Sequence, residues 1–188
     1  MPEDQSLSDA ALLARARQGD QEAFYLLYQR YARRVYGFLR AYTGDPELAD
    51  ELVNEVFVRV WKALPKYREQ QQFLAWLFRI ARNTAIDTLR RRKGRSWLRL
   101  EDLAPREEAD PMPGPEARAF AQDERRRLEE ALKQLPEQYR TVLVLRFFEG
   151  MSPADIARVM GRSENAIRVL QHRALKALRA RLHEQDKA

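Results

Sequence analysis

Apolar residues recur every three or four positions along most of this chain, and Gly, Pro and small polar residues punctuate the runs. That period places the apolar side chains on one face of a helix. Leu12, Leu13 and Ala16 predict a short helix over residues 9–18, capped by Ser8 and ended by Gly19. Ala23, Phe24, Leu27, Tyr28, Tyr31, Val35, Phe38 and Leu39 predict a longer one beginning at Asp20 and closed by a turn over 43–46. Leu48, Leu52, Val56, Val60 and Leu64 repeat at four, with Val53 and Phe57 beside them, so a helix is expected over 47–64 until Pro65 stops it. A polar loop over 66–72 follows. Leu74, Leu77, Phe78, Ala81, Ala85, Ile86 and Leu89 then make the seam of a helix over 73–92.

The period vanishes over 100–117, where four prolines and six acids gather. Such a stretch reads as an extended or disordered linker. Beyond it, Phe120, Leu128, Ala131, Leu132 and Leu135 predict a helix ending before Pro136. Pro136 opens another, carrying Tyr139, Val142, Leu143, Leu145 and Phe147 and closed by Gly150. Residues 151–178 read as two helices and a tight turn. Ser152, Pro153 and Asp155 start the first, Gly161 ends it, and Ser163 caps the second, which carries Ile167, Leu170, Ala174, Leu175 and Leu178. The polar tail from Arg179 is expected to fray. The predicted fold is all-α: two small helical domains over 9–95 and 119–182, joined by a flexible acidic, Pro-rich linker over 96–118.

Composition narrows the chemistry. The net charge of +6 on 188 residues is a moderate basic excess, compatible with a polyanionic partner. Cysteine is absent, which excludes disulfides, thiolate nucleophiles and Cys-based metal sites. Two histidines cannot build a His-rich metal centre, and no acidic cluster has ligand-loop spacing, so no metal or cofactor is expected. There is no Gly-rich phosphate loop and no nucleophile–base constellation, so the chain does not read as an enzyme. No basic-then-apolar leader opens the chain, and no apolar run approaches the roughly 20 residues that span a bilayer. A cytoplasmic protein without direct membrane insertion is expected.

Three stretches carry candidate binding chemistry. In residues 151–178, Ala157, Gly161 and Ile167 are spaced as a helix-turn-helix needs: a small residue at the crossing, a Gly in the turn, an aliphatic residue facing back. Asn165, Arg168, Gln171, His172, Arg173 and Lys176 then point outward as a donor-rich face; a plain αα-hairpin would share the caps and the seam but not the basic face. Glu47, Asp50, Glu51, Asn54 and Glu55 crowd the first half of the third helix, where they either complement the helix dipole or form a docking face for a basic partner. Arg79, Arg82, Arg90, Arg91, Arg92, Lys93, Arg95 and Arg99 stand against the single acid Asp87, with Phe73, Trp76, Phe78 and Trp97 among or beside them. Cations for phosphates and rings for unstacked bases suit single-stranded nucleic acid; core packing is the alternative for Trp76 and Phe78, and the better fit for Phe78. Asn83 and Thr84 interrupt that helix with groups that compete for local hydrogen bonds.

Four motifs in this order, GDQEAFYLLYQRY, DPELADELVNEVFVRVWKAL, FLAWLFRIARNTAIDTLRRRKGR and LKQLPEQYRTVLVLRFFEGMSPADIARVMGRSENAIRVLQHRALKAL, cover most of residues 9–182. Together they resemble the bacterial extracytoplasmic-function (group IV) sigma factors. The resemblance implies a protein that binds core RNA polymerase, directs it to promoters and helps to open the DNA. It implies a sigma-2-like domain in which Glu51, Asn54 and Glu55 dock on the clamp helices of the largest polymerase subunit. Asn83 would line the pocket for a flipped non-template −10 base, with Trp76 beside it and Arg79, Arg82, Arg90, Arg91 and Arg92 on phosphates. It implies a sigma-4-like domain whose Arg168, Val169, His172 and Arg173 read duplex −35 DNA, and an anti-sigma factor as a further partner. A stand-alone helix-turn-helix regulator would account for residues 130–180 but would leave the acidic helix and the basic-aromatic helix without a role.

Overall fold

The computed structural model describes residues 7–68, 72–95 and 115–185. Eight α-helices are found among them: α1 (Asp9–Ala16), α2 (Gln21–Thr43), α3 (Pro46–Ala63), α4 (Phe73–Arg95), α5 (Pro115–Gln134), α6 (Glu137–Leu143), α7 (Pro153–Met160) and α8 (Glu164–Gln185). A 3₁₀ turn over Leu64–Lys66 follows α3, and a π-helical turn over Val144–Phe148 continues α6.

The helix starts follow from their caps. Ser8 accepts from the Ala11 N–H at 3.3 Å, and Asp20 accepts from the Glu22 and Ala23 N–H groups at 3.0 and 3.1 Å. The bonds from Ala23 and Arg15 hold the Asp20 carboxyl below its ordinary range. Asp45 accepts from Leu48 N–H at 2.9 Å ahead of Pro46, the position where a missing N–H costs nothing. Gly44, at φ +64°, ends α2 in the left-handed region that a Cβ disfavours.

Helices α1 to α4 pack into one module. The expected i+4 stripe of α3 is buried throughout, as are Leu77, Phe78, Ala81, Ala85 and Ile86 of α4. Phe78 is therefore core, edge-on to Phe38 with ring centres 5.4 Å apart. Asp9 ties α1 to α2 by bonding Arg30 and the Tyr31 hydroxyl, and burial together with Asp9 pushes the Tyr31 phenol well above its ordinary range. Helices α5 to α8 form the second module around Leu132, Val142, Leu145, Ile156 and Ile167. The two modules share a continuous apolar core, with α7 against α4 and the π-helical turn against α2.

Among the departures from expectation are two helix boundaries and one side-chain placement. Helix α5 begins at Pro115, inside the segment read as linker; residues 96–114 of that linker, with Trp97 and Arg99, lie outside the described residues. Helix α8 runs to Gln185 rather than fraying at Arg179, because Arg, Ala, Leu and Glu are good helix formers and Arg181 pairs with Glu184 at 2.9 Å. Phe147 does not join the apolar seam of α6: the π-helical turn rotates it outward, leaving it 58% exposed next to Phe148.

Candidate nucleic-acid and polymerase interfaces

The helix-turn-helix is built from local signals. Ser152 accepts from Asp155 N–H at 3.1 Å and donates its hydroxyl to the Asp155 carboxylate at 2.5 Å. Gly161 ends α7 at φ +63°, and the N–H groups of Gly161 and Arg162 both return to the Ala157 carbonyl. Ser163 caps α8 through the Ala166 N–H at 3.2 Å. Ile156, Val159 and Ile167 are buried between the two helices, and Ala157 is packed against the core. Arg168, Val169, His172 and Arg173 all lie on the exposed side of α8. Arg168 is paired with Glu164, one turn back, at 2.6 Å.

Helix α4 divides its side chains sharply. Thr84 is buried and donates to the Ile80 carbonyl at 2.8 Å, so its polarity is satisfied within the helix. Asn83 is exposed, and its Oδ1 accepts from Arg82 Nη1 at 3.2 Å. Trp76 is half-buried, 4.8 Å from Tyr67 and 5.9 Å from Phe73 between ring centres, so one face of its indole belongs to an aromatic cluster. Arg91 donates to the Asp87 carbonyl on its own helix.

Arg79, Arg82 and Arg90 of α4 reach across to other elements. Arg79 donates to the Arg158 carbonyl of α7 at 2.9 Å. Arg82 and Arg90 both donate to Glu137, the first residue of α6, at 3.4 and 2.9 Å. Arg158 donates to the side chain of Gln72 at 2.8 Å. Gln72 itself sits at φ +49°, an unusual conformation for a residue with a Cβ, directly before α4.

Glu51 and Asn54 are exposed on α3 and Glu55 is half-buried there. Glu55 bonds Arg59 one turn along, and Glu51 faces Arg92 at 3.5 Å. The structure therefore joins two residues that the sequence assigns to different surfaces: Glu51 of the docking face and Arg92 of the nucleic-acid face. Asn54 stands on the wall of a cleft of about 450 Å³ lined also by Phe24, Tyr28, Phe57, Val58 and Trp61. Sequence reasoning missed this cleft. Its one signal is Val58, an aliphatic residue off the i+4 stripe that is 51% exposed. Glu137 and Arg158 are the site neighbours that periodicity does not single out; Phe24, Tyr28 and Phe57 it does, as seam residues rather than as the wall of a cleft.

Among the described residues there is no group of three or more His, Cys, Asp or Glu that could hold a metal ion, and no helix is long and apolar enough to cross a membrane. Residues 27–95 match the Sigma-70 region 2 family and residues 125–178 match Sigma-70, region 4. The chain is 36% identical over 176 residues to the RNA polymerase sigma-H factor of Pseudomonas aeruginosa, covering 90% of this chain and 91% of that protein. It is 33% identical over 162 residues to the ECF RNA polymerase sigma-E factor of Haemophilus influenzae, covering 83% and 85%. Among solved structures it is similar to CnrH in complex with the cytosolic domain of CnrY, with a TM-score of 0.71, 30% identity, and 94% and 97% of the two chains covered. With both sigma regions present in order and relatives matched along nearly their whole length, the chain belongs to the extracytoplasmic-function branch of the sigma-70 family, the non-catalytic initiation factors that bind core RNA polymerase and direct it to promoters.

Proposed function

We propose that this sigma factor divides its work among three faces. Glu51, Asn54 and Glu55 of α3 form the docking face for the clamp helices of the largest polymerase subunit, and the adjoining cleft takes an apolar side chain of that partner. Asn83, with Trp76 and Arg79, Arg82, Arg90, Arg91 and Arg92, receives the non-template strand of the −10 element. Arg168, Val169, His172 and Arg173 of α8 read the −35 duplex. The protein catalyses no bond change; it stabilises an unstacked DNA state with contacts worth about 1–3 kcal/mol each.

The observation that carries this reading is the split on α4. Its core side is filled by apolar residues and a self-satisfied Thr84, while the amide of Asn83 stands outside, as do Arg79 and Arg90 on the same helix. An exposed amide among cations can read the edge of a flipped base while phosphates are held on either side. An anti-sigma factor is the further partner in this reading, supported by the related CnrH having been found in complex with the cytosolic domain of CnrY, and a polymerase partner argues for a cytoplasmic location. The test is transcription by core polymerase with the purified chain on promoters of its host. Transcripts that start at defined −10/−35 sites only when the chain is added are the expected result. No chain-dependent start at any of them would remove the proposal.

A further inference from the structure

Glu137 is an ordinary exposed-looking acid at the start of a helix, where a carboxylate complements the dipole. Its partners make it unusual. One carboxylate is shared by two arginines that lie 47 and 55 residues earlier, on the outer face of α4 in the other module. Arg82 is largely covered, and its Nε is buried without a hydrogen bond among the described residues, so Glu137 uses only part of the guanidinium. Two guanidinium groups converging on one anionic oxygen pair form the arrangement that also suits a phosphodiester. Around this point Arg79 is held by the Arg158 carbonyl and Gln72 by the Arg158 side chain. Helix α7 thus lies over the same stretch of α4. The α8 face is not covered: Arg168, Val169, His172 and Arg173 remain exposed in the same arrangement.

We infer that Arg82 and Arg90 form an anion site on α4 that Glu137 occupies in the free chain and that a backbone phosphate of single-stranded promoter DNA takes in its place. The closed chain then covers its single-strand reader while leaving its duplex reader open. Occupancy by Glu137 and by phosphate exclude each other, so the apparent affinity for single strands is lowered by the fraction of chains in which the site is filled. The coupling is reciprocal: a ligand that needs the arginines also drives the modules apart. This inference rests on the proposed −10 role of α4.

The probe is a fluorescein-labelled 12-nucleotide single strand of mixed sequence, because a phosphate contact is indifferent to base identity. Its binding to the full chain is compared for wild type, Glu137→Gln and Glu130→Gln; the last removes the same charge from an exposed position on α5. Glu137→Gln is expected to bind about threefold to tenfold tighter than Glu130→Gln at 0.1 M salt, the range of one or two partly exposed ion pairs. Absence of native cysteine allows dyes to be placed at Lys62→Cys and Arg179→Cys in one chain. Saturating oligonucleotide is expected to lower energy transfer between them. Equal affinity of the two Gln variants, or unchanged transfer at saturation, overturns the shared site. Failure of the −10 reading has a separate signature: Arg82→Ala with Arg90→Ala would then leave oligonucleotide binding unchanged.

Discussion

The guanidinium of Arg140, on α6, donates to the carbonyl of Tyr42 at the end of α2, 3.2 Å away, and lies 5.4 Å from the centre of the Tyr42 ring. The same side chain donates to the carbonyls of Leu132, at 2.9 Å, and of Lys133 and Leu135. One residue therefore caps the end of α5 and fastens the second module to the first. Burial holds the Arg140 guanidinium below its ordinary range and the Tyr42 phenol above it. Arg140→Ala strands several carbonyls and is expected to cost about 2–3 kcal/mol, read by urea unfolding. Arg140→Lys is expected to recover less than half, because one ammonium cannot reproduce a planar fork.

Asn83 and Thr84 are adjacent and face opposite ways. Asn83→Ala is expected to change stability by less than about 0.5 kcal/mol, as an exposed helical site does. With polymerase on promoters varied at each −10 position, it is expected to reduce discrimination at one position about tenfold. Thr84→Val keeps the shape of a buried side chain and removes a bond internal to the helix, so base preference is expected to stay as in wild type. Equal −10 discrimination by both variants and wild type would remove the base-reading role of Asn83.

Glu149 presents a nearly buried carboxylate to Arg34, whose Nε lies 3.3 Å away. Burial outweighs the guanidinium and raises its pKa above 4.5. A carboxyl with a raised folded-state pKa contributes stability that is present below its unfolded value and lost as pH rises through the folded value. Glu149→Gln, neutral at every pH, is expected to melt with wild type at pH 4 and about 1–2 °C above it at pH 7.5. A gap that narrows as pH rises would contradict the balance drawn between burial and Arg34.

On α8, Arg168 is already engaged by Glu164, whereas Arg173 makes no ion pair among the described residues. Arg173→Ala is expected to reduce −35-dependent transcription more than Arg168→Ala does, by about tenfold for the first. The check is transcription from paired promoters with intact and scrambled −35 elements. An effect of Arg168→Ala larger than that of Arg173→Ala would place the reading edge one turn earlier.

Much of this architecture was legible because its signals are local. Ser8, Ser152 and Gly161 act within four residues of themselves, and the structure finds each in its expected cap; Asp20, expected to begin the second helix, caps it from one residue ahead. The buried stripe of α3 is likewise a property of one helix. The outward placement of Arg168, Val169, His172 and Arg173 follows from the same period. The relations between modules were not legible. Glu137 looks like any first-turn acid, and only the tertiary structure brings it to Arg82 and Arg90. Trp76 among arginines suggested a ring free for bases, yet Tyr67 and Phe73 hold one side of it. The exposure of Phe147 was hidden because a helical period assumes an unbroken i→i−4 ladder.

That ladder breaks at Val144–Phe148, where Glu149 N–H returns to the Val144 carbonyl and Met151 N–H to the Leu145 carbonyl. A π-helical turn accommodates one residue more than the α-helix around it. Deleting a single residue from this turn would restore the tighter ladder and swing everything after it by about 100° around the helix axis. Glu149 would leave Arg34, and α7 would no longer come down on α4. How the modules meet is thus written in the number of residues between two carbonyls, so a change of chain length there would alter it where most side-chain substitutions would not.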